Sequence, residues 1–395
     1  MAKYDYRGAV HCHSTYSDGT GSVEEIMAAA NDAGLDFVIL TDHDTMKPKQ
    51  EGEDKWHGSA MMICGTEISP EKNHLIAVGE EELKDVESMK DLSPQEAINA
   101  VNKQNWISFL AHPDHEGVEK FDVPSRKWED WSVTDYAGMG IWDLQTDWQE
   151  QLNRDELTTD LYTDFARHLT GPKDETLNRW DELCQKGKVI GLGEITNHNY
   201  KREYEGQEYQ VFPYETAFQT IQNHVLLDEP LAKDYAVARK QILDAIRQGQ
   251  YYISFDFWDD PTEFVFEVDN GVDVASMGGT VELGEDPTEL VAMLPEDALI
   301  NVFHNGKSIH EEEANEVLIE INEPGVYRLE AMRNDLTWIL SNPIWVTGEP
   351  RQPEVEEEEE EVVEEVSEEA TEESEAPADG EEEVSDAPAD EAAGE

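Results

Sequence analysis

His11 and His13 stand one residue apart. On an extended strand that spacing sends both imidazoles to one face and Cys12 to the other. Short apolar runs further along end in the same kind of side chain. Leu35 to Leu40 (LDFVIL) is followed by Asp42 and His43, Met61 to Cys64 (MMIC) by Glu67, and Trp106 to Leu110 (WISFL) by His112, with Asp18 in the loop after His13. Imidazole suits Zn, Fe, Mn or Ni, and carboxylates can bridge two divalent cations. Two such ions close together activate a shared hydroxide and stabilise the charge that develops in hydrolysis. A lone histidine is more often structural, but repetition at successive strand ends makes chance a poor account.

The elements that position these residues alternate. Ser22 opens a helix as a capping box with Glu25, and Val23, Ile26, Met27 and Ala30 recur at helical spacing until Gly34 stops the run. LDFVIL is the continuous apolar type buried on both faces of a parallel sheet. Ser93-Pro94-Gln95-Glu96 is a second capping box, leading through Ala97, Ala100 and Val101 to the strand Trp106 to Leu110. Gly140 to Trp142 and Val189 to Leu192 read as further strands, so residues 1–255 are expected to be an α/β domain with right-handed crossovers. If its parallel strands close into a barrel, their C-terminal ends converge on one mouth and the ligands meet there.

After residue 256 the period changes to two, in Glu263 to Val268, Leu299 to Phe303 and Val317 to Ile321, with turn signals at Asn305-Gly306 and Pro324-Gly325. A small antiparallel β-sandwich is expected over 256–348. Residues 349–395 are Glu, Asp, Ala, Ser and Pro without aromatics, which predicts a disordered acidic tail.

The chain has 395 residues, 38% of them hydrophobic, and no apolar run approaching the roughly 20 residues that cross a bilayer. The first residues lack the apolar core of a signal peptide, so a cytoplasmic protein with no membrane partner is expected. Cys12, Cys64 and Cys184 are odd in number and far apart, which argues against disulfides and thiolate zinc sites. Any metal is then held by nitrogen and oxygen. Net charge is −63, and 351–395 account for only 22 acidic residues against one arginine. So acidic a surface repels phosphate backbones and excludes broad nucleic-acid binding. Because the acids are dispersed, we read them as adaptation to high cytoplasmic salt rather than as a partner-binding device. Protein partners are not indicated.

The string HCHSTYSDGTGSVEE, with TDHD, GTEIS and AHPD, resembles the PHP superfamily (polymerase and histidinol phosphatase domains). That resemblance implies a distorted (β/α)7 barrel holding two or three divalent metal ions (Zn, Mn or Fe). Met139 to Asp143, Gly249 to Ser254, Met277 to Gly279 and Ser341 to Val346 are similar to the CehA/McbA-type metallohydrolase branch, which appends a β-rich C-terminal region. The resemblance covers residues 5–348. It makes His11 and His13 ligands of a first metal, places Asp18, His43 and His112 at ligand positions, and makes Glu67 the bridging carboxylate. Asp42 is expected to orient His43.

His74 matches a site histidine of the family, and His115, on the loop after Pro113, is a second candidate for a catalytic role. The family closes its site with Asp-X-His. Here His198 fits the histidine, but Thr196 stands where the aspartate is expected. Either Glu194 supplies the carboxylate from a shifted position, or one metal is held weakly or is absent. Trp128, Trp131, Trp142 and Trp148 are expected to pack the core or a lid. Arg126, Lys127 and Arg154 are expected on a solvated surface rather than as substrate anchors.

The expected reaction is attack by a metal-bound hydroxide on a small-molecule ester. The hard, carboxylate-rich site favours a phosphoester; a carboxylic or carbamate ester is the alternative. A third reading, motivated by Thr196, is a non-catalytic scaffold in which the β region binds a partner.

Overall fold

A computed structural model describes residues 3–153, 159–204, 206–284 and 286–351. Arg154 and residues 352–395, most of the expected tail, lie outside the described residues. The first half contributes β1 (Tyr4–Cys12), β2 (Phe37–Leu40), β3 (Trp56–His57), β4 (Ala60–Cys64), β5 (Thr66–Ile68), β6 (Leu75–Val78), β7 (Ile107–Leu110), β8 (Gly138–Asp143) and β9 (Ile190–Glu194). A two-stranded hairpin, β10 (Lys201–Tyr204) and β11 (Gln207–Gln210), follows, then β12 (Ile221–Leu227) and β13 (Tyr251–Phe255).

Both capping boxes form. Ser22 N–H donates to Glu25 Oε2 at 2.8 Å and heads the helix Val23–Asp32, whose Ile26, Met27 and Ala30 are buried. Ser93 N–H donates to Glu96 Oε2 at 3.0 Å and heads Pro94–Asn102. β2 is buried along its whole length and pairs in parallel with β1 and β4. β7, β8 and β9 are also parallel.

Several strands depart from the expected parallel alternation: β12 runs antiparallel to β1 and β13, and β6, which bears on the site, is also reversed. β6 runs antiparallel to both β5 and β7. The reason is the short connection from β5 to β6, residues 69–74, which has no room for the dozen or more residues of a parallel crossover. The reversal has a positional effect: the N-terminal end of β6, not its C-terminal end, reaches the rim where β7 ends. Leu75 pairs with Leu110, and Ala111 N–H donates to His74 O at 3.0 Å.

The sheet β5-β6-β7-β8-β9 and the larger sheet meet at two places. β4 runs through Gly65 into β5, with Glu67 N–H on Thr41 O at 3.1 Å. After β9, Ile195 N–H donates to Val10 O at 3.1 Å, and His13 N–H donates to Asn197 O at 2.8 Å.

The C-terminal strands are mostly antiparallel. The longest pair is Thr288–His304 with Lys307–Ile321, turning at Asn305-Gly306, where φ is 51° and 77°. Two successive positive φ values are what a tight hairpin turn requires. The apolar faces gather in a second core around Phe266, Leu290, Ile300, Leu329 and Ile339, as a small sandwich would require. The sheet itself is not separate, because Leu336–Ser341 pairs with β13 and the hydrogen bonding crosses residue 255. Asn342 strengthens the junction: its side chain accepts from Gly191 N–H at 2.8 Å and donates to Tyr251 O at 3.1 Å. Arg328 adds a buried bidentate pair with Asp181, at 2.7 and 2.8 Å. Trp128, Trp142 and Trp148 are buried as packing residues.

Candidate metal centre

Every strand end that the spacing singled out reaches one rim. His11 lies in β1 with His13 just beyond it, His43 follows β2, Glu67 lies in β5, His112 follows β7, and His198 follows β9. His74 joins them because β6 is reversed. His13, Asp18, His43 and His198 form one group, and His11, Glu67 and His112 another. Within each group one ligand atom per residue lies within 4.8 Å of every other.

Glu67 stands between the groups. Its Oε2 is 3.1 Å from His11 Nε2, 3.4 Å from His13 Nε2 and 3.1 Å from His43 Nδ1. Its Oε1 is 2.6 Å from His74 Nδ1 and 3.0 Å from His112 Nε2. Asp18 Oδ1 is 3.4 Å from His198 Nε2 and 3.5 Å from His43 Nε2.

These side chains satisfy one another poorly. His11 Nε2, both nitrogens of His13, Glu67 Oε2, His74 Nε2 and His112 Nδ1 are buried without a well-directed hydrogen bond. Buried polar atoms in folded proteins are nearly all partnered. Nitrogen and oxygen donors left facing one another in this way fit divalent cations.

The electrostatics agree. Burial pushes the Glu67 carboxyl up, but His11, His43 and His74 around it hold it well below the usual carboxylate range. Burial pulls His11 down, yet Glu67 and Glu194 outweigh it and raise the imidazole to about 10. A cation, proton or metal, is therefore favoured between those carboxylates. His13 is pushed well down by burial and by neighbouring His198 and His43. Burial also lowers His198 to about 4, helped by His43 and opposed by Asp18. The rings that stay neutral keep their lone pairs for a metal.

Glu194 sits behind the ligand groups. Its Oε2 is 2.6 Å from His11 Nδ1, and its Oε1 accepts His112 N–H at 2.9 Å. It thereby fixes the His11 ring with Nε2 toward Glu67, as outer carboxylates do for ligating histidines. Thr196 Oγ1 is 3.2 Å from the same His11 Nδ1. His11, His112 and Thr196 all have positive φ (73°, 26° and 39°). Backbone in that region is costly for a β-branched residue, and such strain concentrates at functional sites. Gly140 makes room for Glu194, because a Cβ there would collide with Glu194 Oε1. Gly140→Ala is expected to displace that carboxylate and weaken metal affinity about 10- to 100-fold, read by titrating metal into the chelator-treated protein.

Asp42 requires a correction. Its side-chain hydrogen bonds go not to the His43 ring but to Ser14 and Ser17: it accepts from Ser14 N–H at 2.8 Å and from the hydroxyls of Ser14 and Ser17, both at 2.6 Å, and so holds the loop that carries Asp18. His43 Nδ1 instead lies 2.6 Å from Ser69 Oγ, besides its 3.1 Å approach to Glu67 Oε2. An open cavity of about 550 Å³ lies over the centre, lined by Asp18, Glu67, His74, His115, Arg126 and Gln149, among others. Arg126 thus lines the cavity, whereas Lys127 pairs with Glu116. Tyr200 and Arg202 also line it, and no signal in the sequence pointed to them. His224 is buried elsewhere, between Asp5 and Asp256.

Residues 9–123 match the PHP domain family. The matched stretch contains His11 to His115 and ends before Glu194 and His198, whose membership of the centre rests on geometry. No curated protein matches the chain. Among solved structures the chain is similar to a two-domain protein of Bacteroides vulgatus containing a predicted PHP-like metal-dependent phosphoesterase (14% identity, 86% of this chain and 87% of that one, TM-score 0.38). A protein of Bifidobacterium adolescentis proposed to be a metal-dependent phosphoesterase gives 16% identity over 60% of this chain and 96% of that one, with TM-score 0.31. An amidohydrolase of Chromobacterium violaceum gives 13% over 52% and 92%, with TM-score 0.31. Superpositions this loose say nothing about chemistry. The matched segment carries most of the buried histidine and carboxylate clusters, whose donor types suit divalent metal ions.

Proposed function

We propose that the protein is a metal-dependent hydrolase of small-molecule phosphoesters, with divalent ions on the two sides of the Glu67 carboxylate. The observation that carries this reading is Glu67 itself, fully buried and sharing its two oxygens among five imidazoles. Zn, Mn and Fe suit such a ligand set. Ions held there supply Lewis acidity and acidify water near neutral pH. We also read the ring of hydrogen-bonded strands, β1, β2, β4 with β5, and β6 to β9, as the distorted seven-stranded barrel, and place the chain in the CehA/McbA-type branch.

The chain supplies the rest. Arg126 offers a guanidinium to the phosphate oxygens. His115 Nδ1 accepts Arg126 N–H at 3.2 Å, so its hydrogen is on Nε2, 2.8 Å from Gln149 Oε1 inside the cavity. Burial, reinforced by His112, lowers this ring to about 4, so it is neutral at pH 7. In that form Nε2–H can donate a hydrogen bond to the leaving-group oxygen and stabilise the charge that develops on it.

Purified protein should contain at least two divalent ions per chain and hydrolyse p-nitrophenyl phosphate under Mn or Zn. Lack of stoichiometric metal would sink the hydrolase reading, and turnover of p-nitrophenyl acetate alone would replace the phosphoester by a carboxylic ester. His115→Phe should lower kcat on the phosphate about a hundredfold with metal content unchanged.

A further inference from the structure

The described residues include an unusual stack that runs outward from the centre. His13 and His198 stack at 4.1 Å with planes 8° apart, and Tyr200 stacks on the other ring, His198, at 4.6 Å and 16°. The guanidinium of Arg202 lies 5.1 Å from the centroid of the Tyr200 ring. Tyr200 is pinned because its hydroxyl donates to Asp18 Oδ2 at 3.0 Å. Arg202 is the first-strand residue of the β10–β11 hairpin, paired with Tyr209. Among the described residues no carboxylate forms an ion pair with it. A long, flexible side chain is thus held at the cavity wall by a ring that is itself fixed on a ligand.

The surroundings limit what this arrangement can recognise. With a net charge of −63 the protein's far field repels anions. An anionic substrate must therefore be gripped at short range by cations inside the cavity. Of the wall carboxylates, Glu67 is shared among the imidazoles, Asp18 is turned to His43, His198 and Tyr200, and Asp44 lies 3.5 Å from Lys90, which leaves Asp122. Arg202 is two layers beyond His198 and so does not belong to the reacting end. The cavity, about 550 Å³, has space for far more than a phosphoryl group.

We infer that Arg202 is a specificity-determining residue, positioned by Tyr200, that selects phosphoesters whose alcohol part carries a second oxyanion such as a carboxylate. A guanidinium pairs with such a group through two parallel N–H bonds, which lysine cannot imitate. This inference rests on the proposed hydrolase reading for the substrate class, but its binding can be measured without turnover.

Calorimetry on the metal-loaded full chain would compare phenylphosphonate with 4-carboxyphenylphosphonate, and kinetics would compare the corresponding phosphate esters. Wild type should prefer the carboxylated compound by about tenfold to a hundredfold, the range of a charge-assisted pair. Arg202→Met should abolish the preference, mainly through KM, while leaving phenyl phosphate hydrolysis unchanged. Tyr200→Phe keeps the ring and should keep the preference; Tyr200→Ala should lose it although Arg202 is still present. Equal affinity of wild type for both phosphonates, or a preference that survives Arg202→Met, would overturn the assignment. A binding preference without hydrolysis of either ester would uphold Arg202 and remove the phosphoesterase reading instead.

Discussion

Replacing Glu67 by glutamine is expected to leave the purified protein without stoichiometric divalent metal and to cut hydrolysis of p-nitrophenyl phosphate at least about a hundredfold, the upper end of what loss of an outer partner alone costs. The amide keeps the shape of the carboxyl but removes the charge that two ligand groups share. It also turns an NH2 group toward an imidazole. Wild-type protein should melt higher with metal than with chelator, since a ligand present at 1,000 times its Kd stabilises by about 4 kcal/mol. The glutamine variant should melt at the same temperature in both. Removing the one carboxylate that faces the imidazoles from both sides should also lower the metal-free melting temperature, because breaking a buried ion pair costs about 3–5 kcal/mol. Metal analysis and paired melts decide the matter, and a variant that keeps both its metal and its activity would dismiss Glu67 as the hub.

The second large effect is expected far from the centre, at His224. Its ring is completely buried, with Nδ1 2.9 Å from Asp5 Oδ1 and Nε2 3.1 Å from Asp256 Oδ2, a carboxylate on either side that favours the doubly protonated ring. Burial pulls its affinity for the proton down, but Asp256 and Asp5 outweigh that and raise it to about 10. A raised basic group stabilises the fold fully below its unfolded value, near 6.5, and that contribution is lost as pH climbs toward 10. Asp256→Asn should therefore destabilise the protein by about 3–5 kcal/mol at pH 6 to 7. The gap between wild type and variant should narrow steadily as pH approaches 10. Urea unfolding across that range measures it, and a gap that stays constant with pH would show that His224 is neutral in the folded protein.

Much of the centre was readable because it depends on local order. A strand end places a residue on the rim whatever its neighbours do, so His11, His13, His43, Glu67 and His112 could be picked out by spacing. The capping boxes at Ser22 and Ser93 and the Asn305-Gly306 turn are local in the same sense. What escaped depends on partners distant in the chain. Whether β6 runs forward or back is decided by the length of its connection, and the reversal that brings in His74 was not visible in apolar periodicity. Glu194 and Asp42 are carboxylates in ligand-rich strings, and only the folded chain shows that one fixes the His11 ring and the other a serine loop. Tyr200 and Arg202 follow His198 closely, but one aromatic and one basic residue at the start of a short hairpin have no periodicity that marks them.

The pairing of β13 with Leu336–Ser341 means that the first 255 residues are not a self-contained cassette. Cutting after Phe255 would leave β13 as a raw sheet edge of five buried residues and would remove the Asn342 side chain that links it to β9. Exposed apolar edges of this kind seed edge-to-edge association. The C-terminal strands thus shield the half that carries the metal-centre candidates: they occupy the edge that would otherwise recruit a second chain.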